Sequence, residues 1–448
     1  MLIAGYDTPL NLLKLELVQL SESGYTVPPS LKARIEALHP VYDAYNDSLQ
    51  HFYDELQSLE RSADYPYVEP DDLADIRRER PAGPRQLALQ LTEAELIDRW
   101  HGAWSGRSAG CALGQVVEGW SDAAIKEYLQ KIGDWPLTEY ISRRGLEPDS
   151  WVYNHQSVRE NIDCMGPDDD IHYTLIGLKV LEQYGRDFQW NNVADTWNDS
   201  LPYNQICTAE TQAVLNYNLR RTRADTARKS AATKEFTRRF NNPYREWIGA
   251  QIRADFWGYI NPGNPELAAE YAWRDASWTH VANGIYGEMM MAAIIAASFV
   301  ETDFERLVEI GLSEIPANCR LAAAVREALD WLPECPTFEH FMVKLNERYA
   351  AMHPVHTINN ALIVIMSLYY GRMNPDRSLC IAVMAGKDTD CNGATVGSIV
   401  GAVHGRRNFG GKLLEPLHDL VKPLVFGFQE ITMRALAERT AALYRKFN

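Results

Sequence analysis

Two short acidic runs carry the most specific chemistry in this chain of 448 residues. Asp168, Asp169 and Asp170 are consecutive in CMGPDDDIHYTLIGL, and Asp388 and Asp390 flank Thr389 in MAGKDTDCNGATVG. One aspartate before a helix caps it and suits the helix dipole. Capping needs only one, and adjacent carboxylates repel one another unless a cation neutralises them. Oxygen ligands select a hard divalent ion: magnesium, with manganese and calcium as alternatives. Two such runs facing each other would hold two ions.

The elements that position these runs can be read from spacing. Ile171, Leu175, Leu178 and Leu181 follow the first run at helical intervals, and Gly185 is a suitable stop. The second run leads into Gly393, Gly397, Gly401 and Gly405, every fourth residue. Gly102, Gly106, Gly110 and Gly114 form a matching ridge. Glycine costs a helix about 1 kcal/mol relative to alanine, but a glycine face lets another backbone come very close. The spacing predicts that both ridge helices lie at the centre of the protein, against each other.

The rest of the chain reads as helix after helix, without period-two runs, Asn-Gly hairpins or βαβ alternation, so the fold class is all-α. Residues 1–92 form an N-terminal helical extension and linker, and residues 93–448 the main all-α domain. In the extension Leu10, Leu12, Leu13, Leu15, Leu17 and Leu20 crowd one segment, and Ile35, Leu38, Tyr42, Tyr45 and Leu49 recur at helical spacing. Pro66, Pro70, Pro81 and Pro84 mark residues 63–95 as a connecting stretch over the surface. A leucine-rich helix needs a surface to pack on, so the extension is expected to be docked; it is also a route to oligomers. Residues 220–246 are basic, either a solvated helix face or a rim that attracts phosphates.

Composition narrows the function. The chain is 46% hydrophobic and 23% charged, with a net charge of −16. An acidic surface argues against non-specific binding to nucleic acid or anionic membranes. Seven scattered cysteines without a CxxC pair point to free thiols in a reducing cytoplasm. The start, MLIAGYDTPLNLLKLEL, has no signal-peptide pattern. The longest apolar run, Met289 to Val300, is short of the roughly 20 residues a bilayer needs and reads as a buried helix.

Five segments, in order, resemble motifs of the ADP-ribosylglycohydrolases over roughly residues 98–410: RSAGCALGQVVEGW, GPDDDIHYTLIGL, IGAQIRADFWGYINPG, SWTHVANGIYGEMMMAAIIAASF and GKDTDCNGATVGSIVGAVHG. The resemblance implies a compact all-α fold, a binuclear magnesium site and hydrolysis of a ribosyl glycosidic bond. Asp168, Asp169 and Asp170 match the family's first metal triplet, usually Thr/Ser-Asp-Asp. Asp388, Asp390 and Cys391 match the second, which usually ends in Thr/Ser. Glu118 matches the glutamate placed over the metals and the scissile bond. Gly249, Gln251 and Arg253 fall where the family's loop meets a diphosphate, and Trp278 and His280 near its substrate histidine.

Two departures stand out. Asp168 replaces a hydroxyl with a negative charge. Cys391 replaces a hydroxyl with a thiol, a poor magnesium ligand. Outside the resemblance, His356 beside Asn359 in HPVHTINN either lines the pocket or is structural. Trp257, Phe256 and Tyr286 either stack on a base or ring or belong to the core.

The function expected is a metal-dependent glycohydrolase acting on an ADP-ribosyl group, with Glu118 or Asp388 taking the proton of an attacking water. A nucleoside or small-molecule ribohydrolase, and a non-catalytic homologue that only binds ADP-ribose, are the alternatives.

Overall fold

The computed structural model describes residues 4–39, 47–220 and 229–447. Tyr42, Tyr45 and part of the basic 220–246 segment lie outside them. Helices dominate, and the strands are a two-residue antiparallel pair, Leu420–Val421 with Ile431–Thr432.

The main body begins with the helix Glu93–Gly114. Its start is a reciprocal cap in a T-x-x-E sequence: the Thr92 hydroxyl accepts from the Glu95 amide, and the Glu95 carboxylate accepts from the Thr92 amide at 2.7 Å. From Gly102 to Gly114 every residue of this helix is buried. Its partner is the helix Thr389–His404, buried from Thr389 to Val403. The two run antiparallel with their glycine ridges in register. A Cβ at Gly102, Gly106 or Gly110 would land on the carbonyl oxygen of Gly401, Gly397 or Gly393. The ridges are thus the contact itself, as the spacing predicts.

The helix Ala282–Ser298 carries the long apolar run and is buried throughout. Asp169–Tyr184 ends at Gly185, whose φ of 68° suits glycine. No helix among the described residues is long and apolar enough to cross a membrane.

The extension is fastened to the main body. Its helices Pro9–Glu22, Pro29–Glu36 and Asp47–Gln57 share a small core built from Leu13, Leu17, Leu31, Ile35 and Leu56. Buried polar bonds then tie it down. Arg245 donates to both Glu16 carboxylate oxygens at 2.7 and 3.0 Å, and Gln19 donates to Glu246 at 3.0 Å. Further along, Glu69 accepts from Arg320 and Asn283, and Asp71 pairs with Arg238 and Arg239. Arg238, Arg239 and Arg245 of the basic segment therefore face carboxylates of the extension, so they are spent on docking. The connecting stretch holds one short helix, Leu73–Glu79, and runs along the main body. The Val68 amide donates to the Asn318 carbonyl and the Leu87 amide to the Gly263 carbonyl.

Candidate active site and metal centre

The packed ridges bring the two acidic runs together. Gly114 ends the first ridge helix, where an added Cβ would meet the backbone of Thr389 and Asp390. The Thr389 hydroxyl donates to the Gly114 carbonyl at 2.8 Å. Beyond Gly114 the chain passes through a short 3-10 turn, Gln115–Val117, to Glu118. The Gly119 amide donates to the Lys387 carbonyl and the Lys387 amide to the Trp120 carbonyl, which holds Glu118 beside Asp388. Gly386 and Lys387 both have positive φ, 72° and 64°, in the turn just before Asp388. A non-glycine residue there is strained by about 1–3 kcal/mol, a cost concentrated at functional turns.

Asp168 is the N-cap of its helix and accepts from the Asp170 amide at 2.9 Å; its other oxygen accepts from Gln115 at 2.6 Å. Asp170 is fully buried, and Arg107 reaches its Oδ1 at 3.2 Å while also pairing with Asp255 at 2.8 Å. In each of three sets the ligand atoms lie within 4.8 Å of one another: Cys111, Asp168 and Asp170; Asp170, Asp390 and Cys391; and Glu118, Asp388 and Asp390.

This crowd of carboxylates lacks the cations to balance it. Burial, then Asp388 and Asp168, push the Glu118 carboxyl up to about 8. Burial and neighbouring carboxylates hold Asp169, Asp170 and Asp390 well above the usual carboxylate range, with Arg107 opposing the rise at Asp170. Asp170 Oδ2, Asp388 Oδ1 and Asp390 Oδ1 are buried without a hydrogen-bond partner. Orphaned carboxylate oxygens converging from two helix N-termini suit divalent cations.

A carboxyl raised by folding stabilises the native state below its unfolded value, and that contribution is lost as pH rises through its folded value. The metal-free protein is therefore expected to lose thermal stability as pH rises through about 8, the value at Glu118. Divalent ion at a hundredfold excess over its Kd should restore about 2.7 kcal/mol. Scanning calorimetry across pH, with and without ion, reads both; an unchanged Tm from neutral to alkaline pH without ion would contradict this.

Glu118, Asp168, Asp170, Asp388, Asp390 and Cys391 thus come together in these sets, which Asp169 does not enter. The residues expected to touch substrate are placed differently. Arg253 is buried, and its guanidinium is taken up by Glu210 at 2.5 Å, Thr279 at 2.7 Å and Asp275 at 3.1 Å. The Glu210 carboxylate fills the space beside Gly249 where a Cβ would sit. Gln251 is buried, its amide group without a partner. His280 bonds the Thr279 hydroxyl at 2.7 Å.

Aromatic residues are enclosed too. Trp257 stacks on Phe188 and donates to Asp275, Phe256 and Trp278 are buried, and the Tyr286 hydroxyl donates to the Pro70 carbonyl. His356 caps the helix Thr357–Gly371, and Asn359 donates to the His353 carbonyl.

Three residues at the site gave no signal in the motifs. Cys111 joins the acidic cluster; Arg107, Cys111 and Gln115 recur every fourth residue, a polar stripe on a buried helix. Cys207 is exposed, and its amide donates to the Tyr173 hydroxyl at 3.1 Å. Tyr6, from the extension, is 54% exposed and lies edge-on to Tyr244. Its hydroxyl is pushed up by burial, then by Cys207, Asp169 and Glu118.

The sequence model of a family described as ADP-ribosylglycohydrolase matches residues 92–447. The chain belongs to the ADP-ribosylglycohydrolase family. The family is one of hydrolases acting on glycosyl bonds, and the acidic clusters here can hold metal. A solved structure titled "ADP-ribosylglycohydrolase-related protein complex" is similar at 19% identity and a TM-score of 0.49, covering 79% of this chain and 99% of that one. No curated protein sequence matches the chain. The family match begins where the capped helix begins, and the extension lies outside it.

Proposed function

We propose that this ADP-ribosylglycohydrolase-family chain hydrolyses the glycosidic bond of a ribosyl group, with ADP-ribosyl the first substrate class to test. The observation that carries the reading is the meeting of Asp168, Asp170, Asp388 and Asp390 under Glu118, with buried carboxylate oxygens left without partners. Two divalent ions, magnesium in the first instance, would neutralise these groups, hold the ribose hydroxyls and polarise a water.

The chain's own residues supply the rest. Asp168 is oriented by Gln115, and Asp170 by Arg107, so neither carboxylate has to reorganise when charge develops. Glu118 is exposed at the open edge of the cluster, while its carboxyl reaches inward to Asp388 and Asp390. The glycosidic bond breaks as the water oxygen bonds to the anomeric carbon; Glu118, ionised once cations offset Asp388 and Asp168, takes the water's proton and passes it to the departing group.

A second reading, a smaller ribosyl substrate, is favoured by one observation. A diphosphate needs cations or free amides, and the Arg253 guanidinium is already enclosed by Glu210, Asp275 and Thr279. Calorimetric titration of ADP-ribose into metal-loaded protein separates the two, with ribose and adenosine as comparisons and an Asp388→Ala/Asp390→Ala variant alongside. Metal-dependent binding of ADP-ribose that the variant loses is the expected result. Binding of adenosine or ribose alone moves the substrate to the smaller class. Metal binding without any ligand or turnover would leave a non-catalytic homologue.

A further inference from the structure

We propose that the two metal positions are chemically unlike: Glu118, Asp388 and Asp390 hold a hard ion such as magnesium, while Cys391, with Asp170 and Asp390, offers a position for a thiophilic divalent ion of the zinc or cobalt kind. The inference rests on reading the cluster as a two-ion centre.

The geometry separates the donors. Glu118, Asp388 and Asp390 form a set with oxygen donors only. The other two sets each contain one sulfur, Cys111 with Asp168 and Asp170, and Cys391 with Asp170 and Asp390. Asp170 belongs to both sulfur sets, so the two thiols approach the same carboxylate. One thiol comes from each ridge helix, and the backbone contact at Gly110 and Gly393 fixes how far apart those helices stand.

Both thiols are buried, Cys111 fully and Cys391 at 6% exposure. A buried cysteine usually behaves as a small apolar group. These two instead border carboxylates whose remaining oxygens are unsatisfied. Arg107 occupies Asp170 Oδ1, and Asp170 Oδ2 is left buried without a partner, as is Asp390 Oδ1. A cation between these oxygens and the Cys391 sulfur satisfies all three. Thiolate donors favour zinc and cobalt, whereas carboxylates favour magnesium. Binding exchanges each coordinated thiol's proton for a metal–sulfur bond, and the proton leaves to solvent.

The test loads the full-length protein with cobalt(II) in excess magnesium and reads the near-ultraviolet absorption of sulfur-to-cobalt charge transfer. The expected result is a charge-transfer band that Cys391→Ser abolishes, with cobalt affinity lowered by about 10-fold or more, since even outer-shell partners are worth 10–100-fold. Cys164→Ser, whose thiol lies outside the cluster, should keep the band. Near-ultraviolet circular dichroism checks that each variant is folded, and the wild-type spectrum decides the point even where one is not. Cobalt bound without the band, or magnesium bound with cobalt excluded, would overturn the inference while leaving a metal-dependent hydrolase intact. Failure to bind either ion would overturn the inference and the two-ion reading together.

Discussion

Glu118→Gln is expected to lower kcat by about 10²–10⁴-fold, the range usual for loss of a general acid–base group, with KM nearly unchanged. The substitution keeps the shape of the side chain and removes its charge and its ability to cycle a proton. Glu118 stands at the open side of the cluster, held there by the paired Gly119–Lys387 and Lys387–Trp120 backbone bonds. Its carboxyl is pushed up to about 8 by burial and by Asp388 and Asp168. The same change should therefore make the metal-free protein more stable at alkaline pH, because one crowded negative charge disappears. A structural role would give the reverse pairing: activity retained in the folded fraction and stability lost. Steady-state kinetics and a melting curve on one preparation separate the two, and an unchanged kcat removes Glu118 from the mechanism.

Gly397→Ala is expected to destabilise the protein by about 1–3 kcal/mol, the usual cost of overpacking, and more if the helices cannot part. Helix propensity alone predicts the opposite, a gain of about 1 kcal/mol. Sterics win because the new methyl group would meet the Gly106 carbonyl, backbone that cannot rotate away. Forcing the ridges apart also moves Asp390 from Gly114, so divalent-ion affinity should fall in the fraction that still folds. Denaturant unfolding with and without ion measures both effects. Stability equal to or above wild type would mean that the ridge is not the close contact described.

The ridges and the acidic runs were legible because each rests on a local pattern with one economical explanation. Glycine every fourth residue in two places is costly unless backbones touch there. Carboxylates before apolar helices are costly unless a cation joins them. The all-α class followed from the same helical spacing. The substrate side was harder to read. Arg253 resembles a phosphate ligand in sequence, yet Glu210 and Asp275 are far from it along the chain, and only folding brings them onto its guanidinium. The docking of the extension was expected from Leu10, Leu13 and Leu17, whereas its ion pairs, Glu16 with Arg245 and Glu69 with Arg320, join residues whose separation hides them. Cys111 was passed over as one of several scattered thiols, although the stripe it shares with Arg107 and Gln115 would have marked it.

The pairing of the ridge helices also governs when the protein can become active as it is made. The first ridge and the first acidic run emerge in synthesis well before the second ridge. Until Thr389–His404 is threaded against Glu93–Gly114, Asp168 and Asp170 have no counterpart, and the glycine face of the early helix has nothing to meet. Such long-range closure slows folding and exposes the intermediate to aggregation. On the proposed reading, an ion that bridges both runs would act as a late latch, rewarding only chains whose two ridges have been correctly joined.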